Sequence, residues 1–357
     1  MNSLSNQAKL IPLSDEGRRI LERESEDIGK QVTDGYFASH PQCYQGDSDR
    51  IRQMCKADFQ HHLKFLLGAM VTATPEIFIE YTLWLKDVLN RRNLSIQHPI
   101  ESFSRMRSAI NLRLNAEDQV IACIIIDGGI DALQGDGSFQ GLYQPDPGKT
   151  LALAKGYTES LVDGNRSGAE RIIRQSQENG ISLVDIGVGI IQPAMVEIGR
   201  LWQENRVTVA KEHLATAISQ NVLARAFANA EFADPVDKTV VAACIEGNHH
   251  SLGLRIVTDA YETAGWNVVF LGADTPVSSI LSQVDADKPD VLALSICLPH
   301  QVLALQQLIT QLRSEMAGSM PAVVVGGLAI NTHQVLASRL KIDNWYIDAK
   351  SLQDDLH

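Results

Sequence analysis

Apolar positions change their period along the chain, and the changes divide it. From residue 14 to 134 they recur at helical spacing, most plainly between Ile51 and Leu89. Ser14-Asp15-Glu16 is a helix-start signal, and Thr74-Pro75-Glu76 starts another helix because proline is favoured in a first turn. Val120 to Ile126 is rich enough in β-branched residues for a strand, but in this helical setting it reads as a buried helix end. Residues 135–148 break the pattern with Gly135, Gly137, Gly141, Gly148, Pro145 and Pro147 among polar residues, which predicts a linker. Helical spacing resumes over 150–161, 166–179, 183–201 and 208–230. Asn165 precedes the second of these, and Ser182 with Asp185 gives the third a capping-box start. Four helices with short turns predict an antiparallel bundle. Beyond residue 237 the pattern becomes short, continuous apolar runs: Thr239–Ile245, Asn267–Leu271, Val291–Ile296, Ala322–Val325 and Trp345–Ile347. Helical stretches at 251–264, 277–286, 301–316 and 332–340 separate them. Such alternation predicts a parallel sheet covered on both faces, wound as a flavodoxin-like (Rossmann-like) domain.

The expected organisation is multidomain: an all-α domain over 1–134, a linker over 135–148, a four-helix bundle over 149–235 and an α/β domain over 236–357. Composition adds limits. With 31 basic and 43 acidic residues the formal charge is −12. The densest basic run, Lys86 to Arg92, also carries Asp87, so no direct nucleic-acid binding is expected. Val120 to Ile126 is the longest apolar run, far short of the ~20 residues of a membrane helix. Met1 to Leu13 does not read as a leader. The cysteines Cys43, Cys55, Cys123, Cys244 and Cys297 are scattered, as for reduced thiols in the cytoplasm.

Several motifs fail on inspection. Gly148-Lys149-Thr150 lacks the upstream glycine of a phosphate loop, since position 143 is Tyr. Gly187 and Gly189 open a dinucleotide fingerprint that Gln192 does not complete, and they lie in a helix. His61 and His62 are adjacent, so their rings diverge on a helix; one core and one surface histidine are expected. No separate nucleophile or acid–base pair is evident, and the chain does not read as an enzyme.

Chemistry gathers after the first strand of the α/β domain, in Cys244-Ile245-Glu246-Gly247-Asn248-His249-His250-Ser251-Leu252-Gly253. Ligands of doubly wound sheets bind beyond the carboxyl ends of the strands. Asn248 is within reach to orient a ring nitrogen of His250, as a partner of a metal-ligating histidine does. Gly253 lets either the next helix or a large ligand come close. The third strand ends Ser295-Ile296-Cys297 and the fourth Val325-Gly326-Gly327, a hydroxyl and a double glycine flanking a slot.

The set Asn-x-His-x-x-Gly, Ser-x-Cys and Gly-Gly resembles the cobalamin-binding domain of methionine synthase, corrinoid methyl carriers and base-off mutases, over about 237–340. The resemblance implies that His250 is the lower cobalt ligand and that the cofactor's nucleotide tail enters beside Ser295 and Gly326-Gly327. Asn248 stands where the family has an acid, and Cys297 where it often has Leu or Thr. In the bundle, Trp202 is followed after nine residues by Glu212-His213, which resembles the light-sensing CarH and LitR regulators. There these residue types pack around the 5′-deoxyadenosyl group, so the resemblance implies adenosylcobalamin and release of the cap on photolysis. Gln203 replaces a histidine often found after the Trp, which argues against a second histidine ligand from that position. Trp202 also fits an amphipathic core stripe with Ile191, Met195 and Ile198.

The first region looks globin-like, and the whole order is similar to that of photocobilins, which implies biliverdin as a second chromophore. Its candidates are His61, His62, Arg105 and Arg107 for the propionates and Cys43, Cys55 or Cys123 for attachment, each of these thiols equally a plain buried one. A light-dependent homo-oligomer and a separate downstream effector protein are the expected partners. A corrinoid methyl carrier and a light-independent cobalamin sensor are the competing readings.

Overall fold

The computed structural model describes residues 10–40, 48–141, 145, 147–316, 318, 320–340, 342–353, 355 and 356. Cys43 and Tyr143 lie outside them. The chain packs as two units, 1–140 and 141–357.

Among the described residues six helices form the first unit: α1 Asp15–Arg23, α2 Ser25–Ser39, α3 Ser48–Val71, α4 Pro75–Arg91, α5 Gln97–Asn111 and α6 Ala116–Gln134. Ser14 caps α1 and is itself held by buried Asp118 of α6, through its N–H at 3.0 Å and its hydroxyl at 2.6 Å. That contact staples the start of the unit to its last helix. Phe78, Phe103, Met106, Ile110 and Ile121 fill the core. Val120 to Ile126 lies inside α6 rather than at its end. Ile121, Ile125 and Ile126 face inward while Val120 and Ile124 are exposed, so one face alone of the β-branched run is buried.

The second unit begins with α7 Leu151–Val162 and α8 Arg166–Glu178, followed by α9 Leu183–Ile186, a π-helical turn Gly187–Ile191 and α10 Gln192–Gln203; α11 Val209–Phe227 closes the bundle. The caps are the expected ones: Asn165 accepts from the Gly168 N–H and Ser182 from that of Asp185. The two glycines of the broken fingerprint have packing roles. A Cβ at Gly187 would come within 2.5 Å of Ile256, and one at Gly189 within 2.5 Å of the Thr150 hydroxyl.

The α/β part runs β1 Thr239–Ile245, α12 Leu252–Thr263, β2 Asn267–Thr275, α13 Val277–Asp287, β3 Val291–Ser295, α14 Val302–Glu315, β4 Ala322–Gly326, α15 Leu328–Thr332, α16 Val335–Leu340, β5 Asn344–Trp345 and α17 Ala349–Gln353. Its sheet is wholly parallel in the order β2-β1-β3-β4-β5, the flavodoxin-like order. The expected 332–340 helix is two short helices, because the chain turns through His333 between them. Ile256 and Ala260 of α12 and Ala349 of α17 belong to the same apolar cluster as Tyr157, Ile186, Ile198 and Val222 of the bundle. An ion pair from Lys350 to Asp185 lies over that junction. The bundle therefore shares a core with the helices α12 and α17 of the α/β part.

Candidate functional site

In this strand order the direction of winding reverses between β1 and β3, and a crevice opens beyond their carboxyl ends. The loop carrying His250 follows β1, and Ser295-Ile296-Cys297 follows β3; Cys244 and Ser295 are register partners at the rim.

The β1 loop is held from three sides. Asn248 is fully buried, and its amide donates to the Ser295 carbonyl at 2.9 Å while its oxygen accepts from the His250 N–H at 3.1 Å. This corrects the expectation that Asn248 orients the imidazole: its side chain is turned to the backbone of its own loop and to β3. Asp274, with φ of 51°, accepts from the Gly247 N–H at 2.7 Å. Gln301, 2% exposed, accepts from the N–H groups of Cys297 at 2.8 Å and Leu298 at 3.0 Å and donates to the Gly247 carbonyl at 2.8 Å. Sequence reasoning missed Asp274 and Gln301. Gln301 lies three residues after Leu298, a capping-box spacing that could have drawn notice; Asp274 carries no such signal.

His250 keeps solvent contact, yet burial of its ring lowers its pKa below the ordinary value. Glu212 on α11 opposes that shift and His249 adds to it. The net direction keeps the imidazole neutral, which is the form that ligates metals. Glu212 lies in the first turn of α11. It also accepts from Thr216 at 3.1 Å and pairs with His213 at 2.7 Å, and His213 is otherwise exposed. Trp202 is half-buried at the end of α10, and Gln203 beside it is buried.

The slot side is built from backbone. At Gly327 φ is 103°, and a Cβ there would lie 2.3 Å from the Ile296 carbonyl oxygen. At Gly326 a Cβ would lie 3.3 Å from the Tyr346 carbonyl oxygen. Gly253 meets nothing within 4 Å, so close helix packing is not its reason. The Thr275 hydroxyl and the Asn331 side-chain oxygen are buried without a hydrogen-bond partner near these strand ends. Burial pushes the Cys297 thiol up to about 12, with Cys244 adding to the effect, so it is no ready nucleophile. A neutral imidazole, an uncovered Gly253 and buried polar atoms without partners at Thr275 and Asn331 fit a corrinoid with a threaded tail.

In the first unit His61 and His62 are both half-buried, which corrects the expected core and surface pair. Tyr81 of α4 covers both: His62 Nδ1 contacts its hydroxyl, and the His61 ring lies 5.9 Å from its ring. Burial pulls the His62 pKa down to about 3, with His61 adding to it. Arg105 is bound to Glu101 and Ser39, and Arg107 to Asp127, so neither guanidinium is held ready for a propionate. Cys55 is half-buried, its thiol pKa raised by burial and Asp58, and Cys123 contacts Asn111.

Comparison with known proteins agrees with this geometry. B12 binding domain models match residues 238–347 and 153–226, and a Phycobilisome protein model matches 16–133. The HTH-type transcriptional repressor CarA of Myxococcus xanthus is 32% identical over 146 residues, 41% of this chain and 48% of that protein. The repressor CarH of the same organism is 30% identical over 155 residues, covering 43% and 50%. The trimethylamine corrinoid protein of Methanosarcina barkeri is 26% identical over 185 residues, covering 50% and 83%. A solved structure of the Methanosarcina barkeri monomethylamine corrinoid protein shares the fold at a TM-score of 0.50 and 16% identity, over 58% of this chain and 97% of that one.

Bundle, sheet and crevice together define a cobalamin-binding protein. The chain spans about half the length of the curated repressors it matches. Its bundle and α/β parts match B12 binding domains and are similar to the corresponding stretches of CarA and CarH. These relatives are regulators and carriers by name, in line with a chain that is not an enzyme. They overturn one expectation. Nucleic acid was excluded on the charge of −12, but two relatives are HTH-type transcriptional repressors, and a net charge averages over faces that act separately. Among the described residues no helix is long and apolar enough to cross a membrane.

Proposed function

We propose that the chain is a light-sensing signalling protein that binds adenosylcobalamin between its bundle and its α/β part, with the cofactor's own base displaced and His250 as lower cobalt ligand. What supports this reading is that B12 binding domain models match both the bundle that carries Trp202, Glu212 and His213 and the α/β part that carries His250. When bound, the cofactor supplies a cobalt–carbon bond that visible light cleaves. The protein's part is to hold and to respond. His250 offers a neutral nitrogen, and Asn248, Asp274 and Gln301 fix the loop that presents it. Trp202 offers a broad indole that excludes water from an adenosyl group, and Glu212 with His213 offers acceptor and donor atoms for its ribose. Trp202 then acts as a latch, holding the bundle in place while a large upper group is present, a two-state element biased by its ligand.

Absorption spectra of protein reconstituted with adenosylcobalamin, in the dark and after green light, test this reading; identical spectra overturn it. We further assign biliverdin as a second chromophore of the first unit. Support comes from the aromatic cluster of His61, His62, Phe65, Tyr81 and Trp84 and the phycobilisome match. Protein made with biliverdin should show a red band in the same spectra, and its absence removes that assignment.

A methyl carrier is the second reading, favoured by the 83% coverage of the trimethylamine corrinoid protein. Trp202→Ala separates the two. Losing an indole that an adenosyl group would cover costs ~1.5–3 kcal/mol, so adenosylcobalamin affinity should fall about tenfold or more while methylcobalamin affinity changes little. Equal losses in titrations of the two cofactors favour the carrier.

A further inference from the structure

Gln301 lies at the start of α14, where a glutamine three residues into a helical turn is commonly a capping residue. Its oxygen has that duty, accepting from the N–H groups of Cys297 and Leu298. Its nitrogen has another. It crosses to the β1 loop and donates to the Gly247 carbonyl at 2.8 Å, three residues before His250. Gly247 has φ of 81°, and a Cβ there would meet nothing within 4 Å, so no side-chain packing holds this turn in place. Hydrogen bonds do: Asp274 takes its N–H and Gln301 its carbonyl. At 2% exposure the Gln301 amide does not exchange these partners for water, and a buried polar bridge of this kind is costly to leave half-made.

We infer that Gln301 is a positioning residue that locks the His250 loop to the Cys297–Leu298 turn flanking the tail slot, so that seating of the cofactor's nucleotide tail and ligation by His250 are coupled. The inference rests on the reading of His250 as lower ligand. It differs from plain helix capping in one respect: capping needs only the oxygen, whereas coupling needs the nitrogen.

Gln301→Glu separates these, since its carboxylate keeps the acceptors for Cys297 and Leu298 and loses the donor to Gly247. Gln301→Met, of similar length, removes both. In the cofactor-free chain, amide hydrogen exchange at Gly247 to His250 should quicken at least tenfold in Gln301→Glu while exchange within α14 stays as in the parent. With cob(II)alamin bound at saturation, the fraction showing nitrogen coupling from the lower ligand in electron paramagnetic resonance should drop in both variants. Unchanged exchange and an unchanged fraction in Gln301→Glu, with loss confined to Gln301→Met, overturn the coupling and leave Gln301 a cap. Absence of nitrogen coupling in the parent chain overturns the ligand assignment itself, and the coupling falls with it.

Discussion

Replacing His250 with alanine abolishes the nitrogen-ligated spectrum of bound cobalamin and weakens binding by more than the about 10–100-fold that loss of a ligand's supporting partner costs. A spectrum and affinity equal to the parent's would remove His250 from the site. Its titration sharpens the expectation. Ligation needs the neutral imidazole, and protonation competes with it. Burial lowers the His250 pKa, so the neutral form persists to lower pH than for a free histidine. Ligation should therefore hold through ~pH 6.5, the ordinary midpoint, and fail only as pH falls through the lowered value. A pH titration of the bound spectrum reads this directly; failure above the ordinary midpoint contradicts it. Glu212→Gln removes the one nearby group that raises the His250 pKa, so the failure point should move further towards acid.

Gly327→Ala has the largest expected effect on folding. The backbone there lies in the left-handed region, which alone costs a side-chain-bearing residue about 1–3 kcal/mol. The added carbon would also press on the Ile296 carbonyl oxygen at 2.3 Å, backbone against backbone, with no flexible chain to yield. A marked fall in the thermal midpoint and loss of cobalamin binding are expected together. Gly253→Ala is the counterpart: nothing lies within 4 Å of the new carbon, so the midpoint should hold or rise while binding weakens. An unchanged midpoint in Gly327→Ala would contradict the packing at the β4 end.

Much of this was legible in the sequence for physical reasons. The period of apolar residues follows element type directly, so the bundle helices and the strands β1 to β4 emerged within a few residues of their ends. The Ser182 and Asn165 caps were legible because side-chain capping acts over three residues. What stayed hidden is non-local. Gln301 reaches Gly247 across 54 positions, and no local spacing announces it. Asn248 was misjudged because sequence distance gives reach without direction: its buried amide turns to the Ser295 carbonyl on the neighbouring strand. Arg105 and Arg107 looked like anion anchors until Glu101 and Asp127 were found beside them. The charge argument failed differently, since a sum over all residues carries no information about where a partner would sit.

The core that the bundle shares with α12 and α17 has a consequence for how the protein is made. Ala349 is packed among bundle residues such as Ile186 and Ile198, and Lys350 pairs with Asp185. On the ribosome, domains ordinarily fold in the order in which they emerge. This bundle has to wait: its helices leave the tunnel early, but the surface that closes their core comes later, first from Ile256 and Ala260 of α12 and last from Ala349 of α17. A nascent chain stalled before residue 349 would expose that apolar seam, and chaperone retention of the stalled chain should end when α17 appears.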